Sequence, residues 1–158
     1  MEATKAWHWS SMRPLAWLET AIKLIAFAII FFQARQIIGA GHKIALPPDA
    51  AGIVVLSIAV VLLLGLLAGI MDRVADRELF AMGFILLNVS AHGSFVFALV
   101  SAQHNGLFWF PGLMLLGDLV KLLEIRIYHM RVREFGSRVL YILTGVYVAG
   151  YVLILLLL

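Results

Sequence analysis

The segment VVLSIAVVLLLGLLAGI, residues 54–70, decides the structural class of this protein. It lies within an uncharged stretch, residues 50–71, that is long enough for an α-helix to cross the hydrocarbon core of a bilayer, which takes about 20 residues. The whole chain is 63% hydrophobic and 13% charged, with a mean hydropathy of +1.02. Soluble domains, in contrast, are about 45–50% apolar and about 25% charged. The sequence therefore predicts an all-α integral membrane protein.

Four further apolar segments predict four further membrane-spanning helices. Residues 72–78 form a charged connector, and residues 104–106, His-Asn-Gly, form a turn signal. Gly136 and Ser137 suit a helix stop and the next helix cap, so the fourth helix is expected to continue to about Phe135. The prediction is a single membrane domain, residues 1–158, built as a compact bundle of about five helices that span about residues 15–38, 50–71, 79–103, 111–130 and 138–158.

The basic residues predict the orientation of the bundle. With five spans, most of them fall on the N-terminal side of the membrane and only Arg35 and Lys43 fall on the other side. With four spans, residues 126–138 would change sides and the bias would disappear. Because cytoplasmic loops carry the excess of Lys and Arg, we predict a multi-pass protein of the cytoplasmic (inner) cell membrane, N-terminus inside and C-terminus outside. The residues on the basic side are Lys5, Arg13, Arg73, Arg77, Arg126, Arg131, Arg133 and Arg138.

A charged stripe on the fourth span is the strongest indication of function. Its members follow each other at spacings of three, three and four, which keeps them on one broad helix face; they are Asp118, Lys121, Glu124 and Tyr128. Counted from Phe108, Asp118 lies about 15 Å deep, near the membrane midplane. A charge there costs at least ~2.5–3.5 kcal/mol and normally faces the interior of the bundle with a partner.

Two interpretations of this stripe stand side by side. In the functional one, it lines a proton or cation pathway or makes a polar contact with a partner helix. In the structural one, it forms local ion pairs whose long side chains extend toward the cytoplasmic face. In either case Glu124 is expected to come closest to the lipid headgroups.

Glu19 and Lys23 on the first span are four residues apart, with the acid nearer the N-terminus, which is the better orientation for a helical ion pair. They lie near the cytoplasmic end of their span. A local interfacial pair is therefore the expected arrangement. The alternative is an interhelical pair of Lys23 with Asp118 or Glu124.

Asn88 and His92 share one face of the third span. We expect them to connect helices through hydrogen bonds. The alternative makes His92 a proton relay or a haem ligand. A haem with two histidine ligands needs both at one depth, and His129 lies at the cytoplasmic fringe while His92 lies mid-span. We therefore predict no cofactor.

Small residues indicate where helices pack closely. Residues 65–69 form a GxxxG motif in the second span, and the fifth span holds a similar small pair. Such spacings let two backbones approach each other, within one chain or between chains. The expected packing positions are Gly65, Gly69, Gly145 and Ala149.

Several activities find no support in the sequence. Without cysteine, the chain has no disulfides, thiol catalysis, Fe–S clusters or Cys-based zinc sites. HExxH, Walker A and GxSxG motifs are absent, so an enzyme is not the expected reading. No third ligand accompanies the loop histidines, so no metal site is predicted, and nothing indicates nucleic-acid binding. Anionic lipid is the expected contact of the basic cluster Arg126, Arg131 and Arg133, at about 1 kcal/mol for each residue near the surface.

Three functions follow as expectations. The first is a non-enzymatic helix-packing subunit or assembly factor, whose partners are the lipid bilayer and other membrane helices, from another subunit or a second copy. The second is a small transporter or channel that uses the charged stripe of the fourth span. The third is a haem- or lipid-active membrane enzyme subunit that uses His92.

Overall fold

The computed structural model describes residues 13–74, 77–104, 106–131 and 137–158, with side chains described for all of these except residues 68–74 and 137–144. This part of the chain forms five helices and no strand, as predicted for an all-α protein. Three segments are long and apolar enough to cross a membrane, Pro14–Gly39, Pro48–Leu67 and Glu78–Ser101. The helices are α1 (Pro14–Gly39), α2 (Pro48–Val74), α3 (Glu78–Ser101), α4 (Trp109–Tyr128) and α5 (Ser137–Leu157).

Helix α4 ends earlier than its sequence pattern predicts. His129 adopts the left-handed conformation with φ of 50°, and the Met130 N–H donates to the Ile125 carbonyl. This is the bond that closes a Schellman-type helix end. His129 also lies 3.0 Å from a carboxylate oxygen of Glu78 at the start of α3. The expected continuation to Phe135 is therefore wrong for residues 129–131, while residues 132–136 lie outside the described part.

The five helices form a closed ring in the order α1, α4, α3, α2, α5 and back to α1. Helix α4 runs antiparallel to α1, because Gln33 near the end of α1 bonds Gly106 before α4, and Glu19 near the start of α1 contacts Lys121. Helix α5 runs parallel to α1, since Lys23 faces Tyr147 and the loop after α1 reaches Leu157. Neighbouring elements of the chain thus alternate in direction across the bundle.

Alternating helices collect the connections at two ends. We call the end that holds Arg13, Arg77, Glu78, Arg126 and Arg131 the basic end. The opposite end holds residues 40–47, 102–104, 106–108 and 158, and we call it the far end. There the Ile44 N–H donates to the Leu157 carbonyl, and His104 Nε2 donates to the Ala45 carbonyl.

The interior of the ring is filled and its outside is apolar. Buried apolar side chains from every helix meet in one large cluster, which includes Ile30, Val54, Phe95 and Met114. Large apolar side chains also cover the outside of the bundle, among them Phe31, Leu66 and Leu156. A soluble protein rarely exposes so much contiguous apolar surface, so this exterior fits lipid.

Helix α5 approaches α1 closely at Gly150. A Cβ atom on Gly150 would collide with the Phe27 ring, which also stacks on Tyr147 with ring centroids 5.6 Å apart. By contrast, a Cβ on Gly145 would meet nothing within 4 Å among the described atoms. The aromatic contact between α1 and α5 therefore depends on the missing side chain at Gly150.

We expect Gly150→Ala to destabilise the protein by about 1–3 kcal/mol, because the Phe27 ring has to leave its site. Gly145→Ala is the matched control on the same helix and should be neutral or slightly stabilising, since alanine is the better helix former by roughly 0.5–1 kcal/mol. Thermal unfolding in detergent measures both. Equal stability of the two variants would contradict the described packing of α5 on α1.

Candidate functional site

A set of ionisable side chains lies inside the ring, in the middle of an otherwise apolar bundle. Five charged or ionisable residues have exposures between 1% and 7%. They come from α1, α3 and α4, whose polar faces all turn inward. A sixth, Lys121, is slightly more accessible, with a side-chain exposure of 15%. Together with a buried tyrosine of α5 they form what we call the charge chain: Glu124, Lys121, Glu19, Lys23, Asp118, His92 and Tyr151.

The charge chain begins near the basic end with two lysines bridged by a glutamate. Lys121 Nζ donates to Glu124 Oε2 at 2.9 Å and lies 3.2 Å from Glu19 Oε2. The other carboxylate oxygen of Glu19, Oε1, accepts from Lys23 Nζ at 2.7 Å. Glu19 thus joins Lys121 of α4 to Lys23 of its own helix, with one oxygen for each ammonium group.

The charge chain continues through a second bridging carboxylate to a histidine. Asp118 Oδ1 lies 2.9 Å from Lys23 Nζ, and Asp118 Oδ2 lies 2.6 Å from His92 Nδ1. On the other side of the imidazole, Nε2 forms a hydrogen bond with the Tyr151 hydroxyl. Every neighbour in the charge chain is therefore in direct contact with the next, from Glu124 to Tyr151.

The contacts of His92 define what each of its protonation states can do. Its Nδ1 faces a carboxylate, which only accepts, so Nδ1 carries a proton. In the neutral ring, Nε2 then accepts a hydrogen bond from the Tyr151 hydroxyl, and in the charged ring Nε2 donates to the tyrosine oxygen. Both states keep both hydrogen bonds, so His92 can gain or lose a proton without a change of partners.

The charges of the charge chain balance only when His92 is protonated. Three carboxylates, those of Glu19, Asp118 and Glu124, face two ammonium groups. With a neutral imidazole the sum is −1, and with an imidazolium it is zero. Uncompensated charge is costly inside an apolar bundle. Among these described groups, an imidazolium at His92 thus supplies the charge that neutralises the sum.

Gly117 makes room for the lysine at the centre. A Cβ atom on Gly117 would lie 2.8 Å from Lys23 Cε and 2.9 Å from Lys23 Cγ, so the aliphatic part of Lys23 runs directly over the α4 backbone. The Lys23 ammonium group also lies 5.5 Å from the centre of the Tyr147 ring, within the range of a cation–π contact. Lys23 is held by α1, α4 and α5 together.

Several site residues predicted from the sequence belong to the charge chain, and the prediction for one of them was wrong. The local pair of Glu19 with Lys23 and the interhelical pair of Lys23 with Asp118 are both present. The expectation that Glu124 approaches the headgroups is wrong, because Glu124 is 1% exposed. Its carboxylate turns into the bundle because its partner there is Lys121.

Other predicted residues lie away from the charge chain. Tyr128 is exposed at the basic end, where its ring lies 4.5 Å from the Arg13 guanidinium carbon. Asn88 donates to the Phe84 carbonyl of its own helix at 3.3 Å. Arg126 and Arg131 are exposed, and Arg126 lies 3.7 Å from Glu78. Arg133 lies outside the described residues.

The predicted packing positions differ in how far they are buried. Gly145 and Ala149 are exposed on α5, and Gly65 is half-buried on α2. The surroundings of Gly69 lie outside the described side chains. The close contacts instead use Gly117 and Gly150, which the spacing rules did not select.

The sequence interpretation did not identify Tyr147 and Tyr151 either. Both lie in an apolar span and are four residues apart, so they share a helix face. The sequence does offer a signal for them. Two tyrosine hydroxyls lie on one helix face in the middle of an apolar span, where the headgroups do not reach.

The groups of the charge chain are ones that can bind and transfer protons. Within the described residues, no group of three or more His, Cys, Asp or Glu side chains is placed to hold a metal ion. Haem ligation by His92 would require Nε2 to give up its bond to Tyr151.

A scan against known protein families finds no match, and searches of curated proteins and of solved structures find none either.

We expect Lys23→Met to destabilise the protein by about 3–5 kcal/mol, because it leaves the Asp118 and Glu19 carboxylates buried without their shared ammonium group. Adding Asp118→Asn should recover part of that loss, since it removes one of the two buried carboxylate charges that have lost their shared ammonium group. Chemical unfolding in detergent gives the free energies.

The control is Glu78→Gln, which removes a carboxylate from the ion pairs at the surface of the basic end. Such pairs contribute about 0–1 kcal/mol. If Lys23→Met costs no more than Glu78→Gln, the charge chain is not formed as described.

Proposed function

We propose that this chain is a small proton-transporting protein of the cell membrane, with five membrane-spanning helices and the charge chain as its proton pathway. The observation that carries the proposal is the unbroken contact from Glu124 to Tyr151 through carboxylates, ammonium groups and an imidazole. Ionisable side chains inside a membrane bundle mark ion pathways and proton relays.

Three observations favour five crossings. The outward face of α4 carries the exposed apolar side chains Leu116, Leu119, Leu123 and Ile127, while Asp118, Lys121 and Glu124 turn inward and the exposed Arg126 lies at the basic end. A helix of 20 residues is about 30 Å long, which matches the hydrocarbon core. The alternating directions of the helices also gather Arg13, Arg77 and Arg126 at one end, and the positive-inside rule assigns that end to the cytoplasm.

A purely structural role accounts poorly for the charge chain. Replacing a buried ion pair by apolar residues is often neutral or stabilising in proteins, and a helix bundle in lipid can be held by packing alone. The inclusion of His92 is the second argument, because an imidazole between a carboxylate and a hydroxyl keeps both hydrogen bonds in its neutral form and in its charged form. A proton relay needs a group that can both bind and release a proton, whereas a set of ion pairs that only stabilises the bundle does not.

A proton suits this site better than a metal cation. The positions between carboxylates are taken by ammonium groups, since Lys23 lies between Glu19 and Asp118 and Lys121 lies between Glu19 and Glu124. A proton needs no cavity, because it passes along hydrogen bonds that already exist. The substrate that we assign is therefore H⁺, alone or coupled to a second solute.

The test is proton flux in proteoliposomes that contain the purified protein and a trapped pH-sensitive dye, with a potassium diffusion potential as the driving force. We expect Asp118→Asn to lower the flux by at least about a hundredfold, because relay groups contribute factors of this order. Asp118→Asn preserves the shape of the side chain and removes the charge that links Lys23 to His92.

Glu78→Gln is the matched control, since it neutralises a carboxylate outside the charge chain. It should leave the flux at the wild-type level. The proposal is overturned if wild-type protein gives no flux above protein-free vesicles, either alone or with candidate solutes, or if Asp118→Asn transports as fast as Glu78→Gln.

The helix-packing subunit is the second candidate, and one observation favours it. Gly145 and Ala149 form a small-residue face on the outside of α5, and a Cβ on Gly145 would meet nothing within 4 Å among the described atoms. Two backbones approach each other at such faces. A second membrane helix, from a partner or another copy, fits there.

We expect Gly145→Ile with Ala149→Ile to abolish association through this face without lowering the thermal stability of the single chain, because neither position packs inside the bundle. Crosslinking in the native membrane and the mass of the purified particle measure association. A wild-type particle that is monomeric, without crosslinked partners, would remove this candidate.

A further inference from the structure

The charge chain ends inside the bundle. It runs from Glu124 to Tyr151, which is fully buried, and its most accessible member is Lys121, next to Glu124. Tyr151 lies six residues before the end of α5, so about 9 Å of helix separate it from the far end. That distance is filled by apolar side chains with exposures of 0–2%, which we call the apolar layer: Leu99, Phe110, Ile154 and Leu157.

Beyond the apolar layer, the far end has an open cavity lined by both polar and apolar residues. Its volume is about 260 Å³, and its polar lining comes from Gln33, Gln36 and His104. Gln33 donates to the Gly106 carbonyl through Nε2, while its Oε1 is buried and accepts no hydrogen bond from the described residues. Ile44 and Leu107 line the same cavity and belong to the apolar cluster that contains Phe110 and Tyr151. One apolar layer thus separates two polar regions.

We propose that Tyr151 is the gate of the proton pathway and that the far-end cavity is the aqueous vestibule on the other side. This inference rests on the proposed proton transport. It assigns the structure to a state in which the apolar layer closes the charge chain to the far end. Tyr151 is the member of the charge chain that borders the apolar layer, since its ring lies edge-on to Phe110 with centroids 5.5 Å apart.

The transfer step conserves protons. His92 as imidazolium gives the proton on Nε2 to the Tyr151 oxygen, and the proton that the Tyr151 hydroxyl already carries passes to a water molecule from the far-end cavity. One N–H bond breaks, one O–H bond forms at the tyrosine, and the tyrosine O–H that was there breaks as the water gains its proton. Tyrosine ends neutral, and His92 keeps its other proton on Nδ1, which faces Asp118. The next proton enters from Asp118 after the imidazole has reoriented, so that its N–H faces Tyr151 and its bare nitrogen faces Asp118.

Water reaches the Tyr151 hydroxyl only when the apolar layer opens. Phe110 is the second residue of α4, and Leu157 is the last residue of α5. Both lie at helix ends, where packing is held by fewer turns than in the middle of the bundle. A small outward movement of these ends would connect the cavity to Tyr151 and leave the ion pairs of Lys23 intact.

The decisive variant is Tyr151→Phe, which keeps the ring packed against Phe110 and removes the hydroxyl. We expect it to lower proton flux at least about tenfold, while ¹⁵N NMR of His92 in proteoliposomes still follows the pH on the basic side. Tyr128→Phe is the matched control, and it should transport at the wild-type rate, because the Tyr128 side chain is exposed at the basic end, away from the charge chain.

Cysteine labelling supplies a measurement that does not depend on flux. The chain has no native cysteine, so single variants can be labelled without background. With a membrane-impermeant thiol reagent, Lys121→Cys should react from the basic side, Gln36→Cys from the far side, and Ile154→Cys slowly from both sides.

The outcomes separate the two proposals. Absence of wild-type flux overturns the proposed function itself. Wild-type flux together with an equal or higher flux in Tyr151→Phe overturns the gate and leaves proton transport standing. Rapid labelling of Ile154→Cys from the basic side would also overturn the gate, because it would place the barrier elsewhere.

Discussion

The ion pair between Lys23 of α1 and Asp118 of α4 is the contact on which the interior of this bundle depends. Its Nζ to Oδ1 distance is 2.9 Å, and both side chains are almost completely buried. Asp118 then presents its other oxygen to His92, and Lys23 presents its ammonium group to Glu19. Three helices are placed relative to one another by these few polar atoms, in an environment where lipid provides no hydrophobic force between helices.

The same ion pair constrains the shape of the surrounding helices. Lys23 can reach Asp118 only because residue 117 lacks a side chain, and the Tyr147 ring closes the site from α5. Phe27, one turn further along α1, then requires the second close approach, at Gly150. The two glycines that permit tight packing are thus determined by the bulky residues of α1 that lie opposite them.

Periodicity and hydropathy predict the local part of this structure, and the contacts between distant segments set the rest. The five helices, the inward face of α4 and the pairing of Glu19 with Lys23 follow from spacing along one helix. The neighbours in the ring do not, since among the described residues α1 contacts α4 and α5 and not α2, the next helix in the chain. That order decides that Asp118 meets His92, and that Glu124 is covered inside the bundle instead of reaching the headgroups. Tyr151 was missed for the same reason, because its role depends on an imidazole from another helix.

The count of charges connects the fold to the proposed activity. Equal numbers of acidic and basic groups could pair permanently and would leave no proton to exchange. Three carboxylates with two ammonium groups leave one negative charge unmatched, and the imidazole of His92, in contact with Asp118, is the group that can supply the matching positive charge. In the proposed transport, the release of this proton through Tyr151 restores the unmatched negative charge. That charge then attracts the next proton from the basic end.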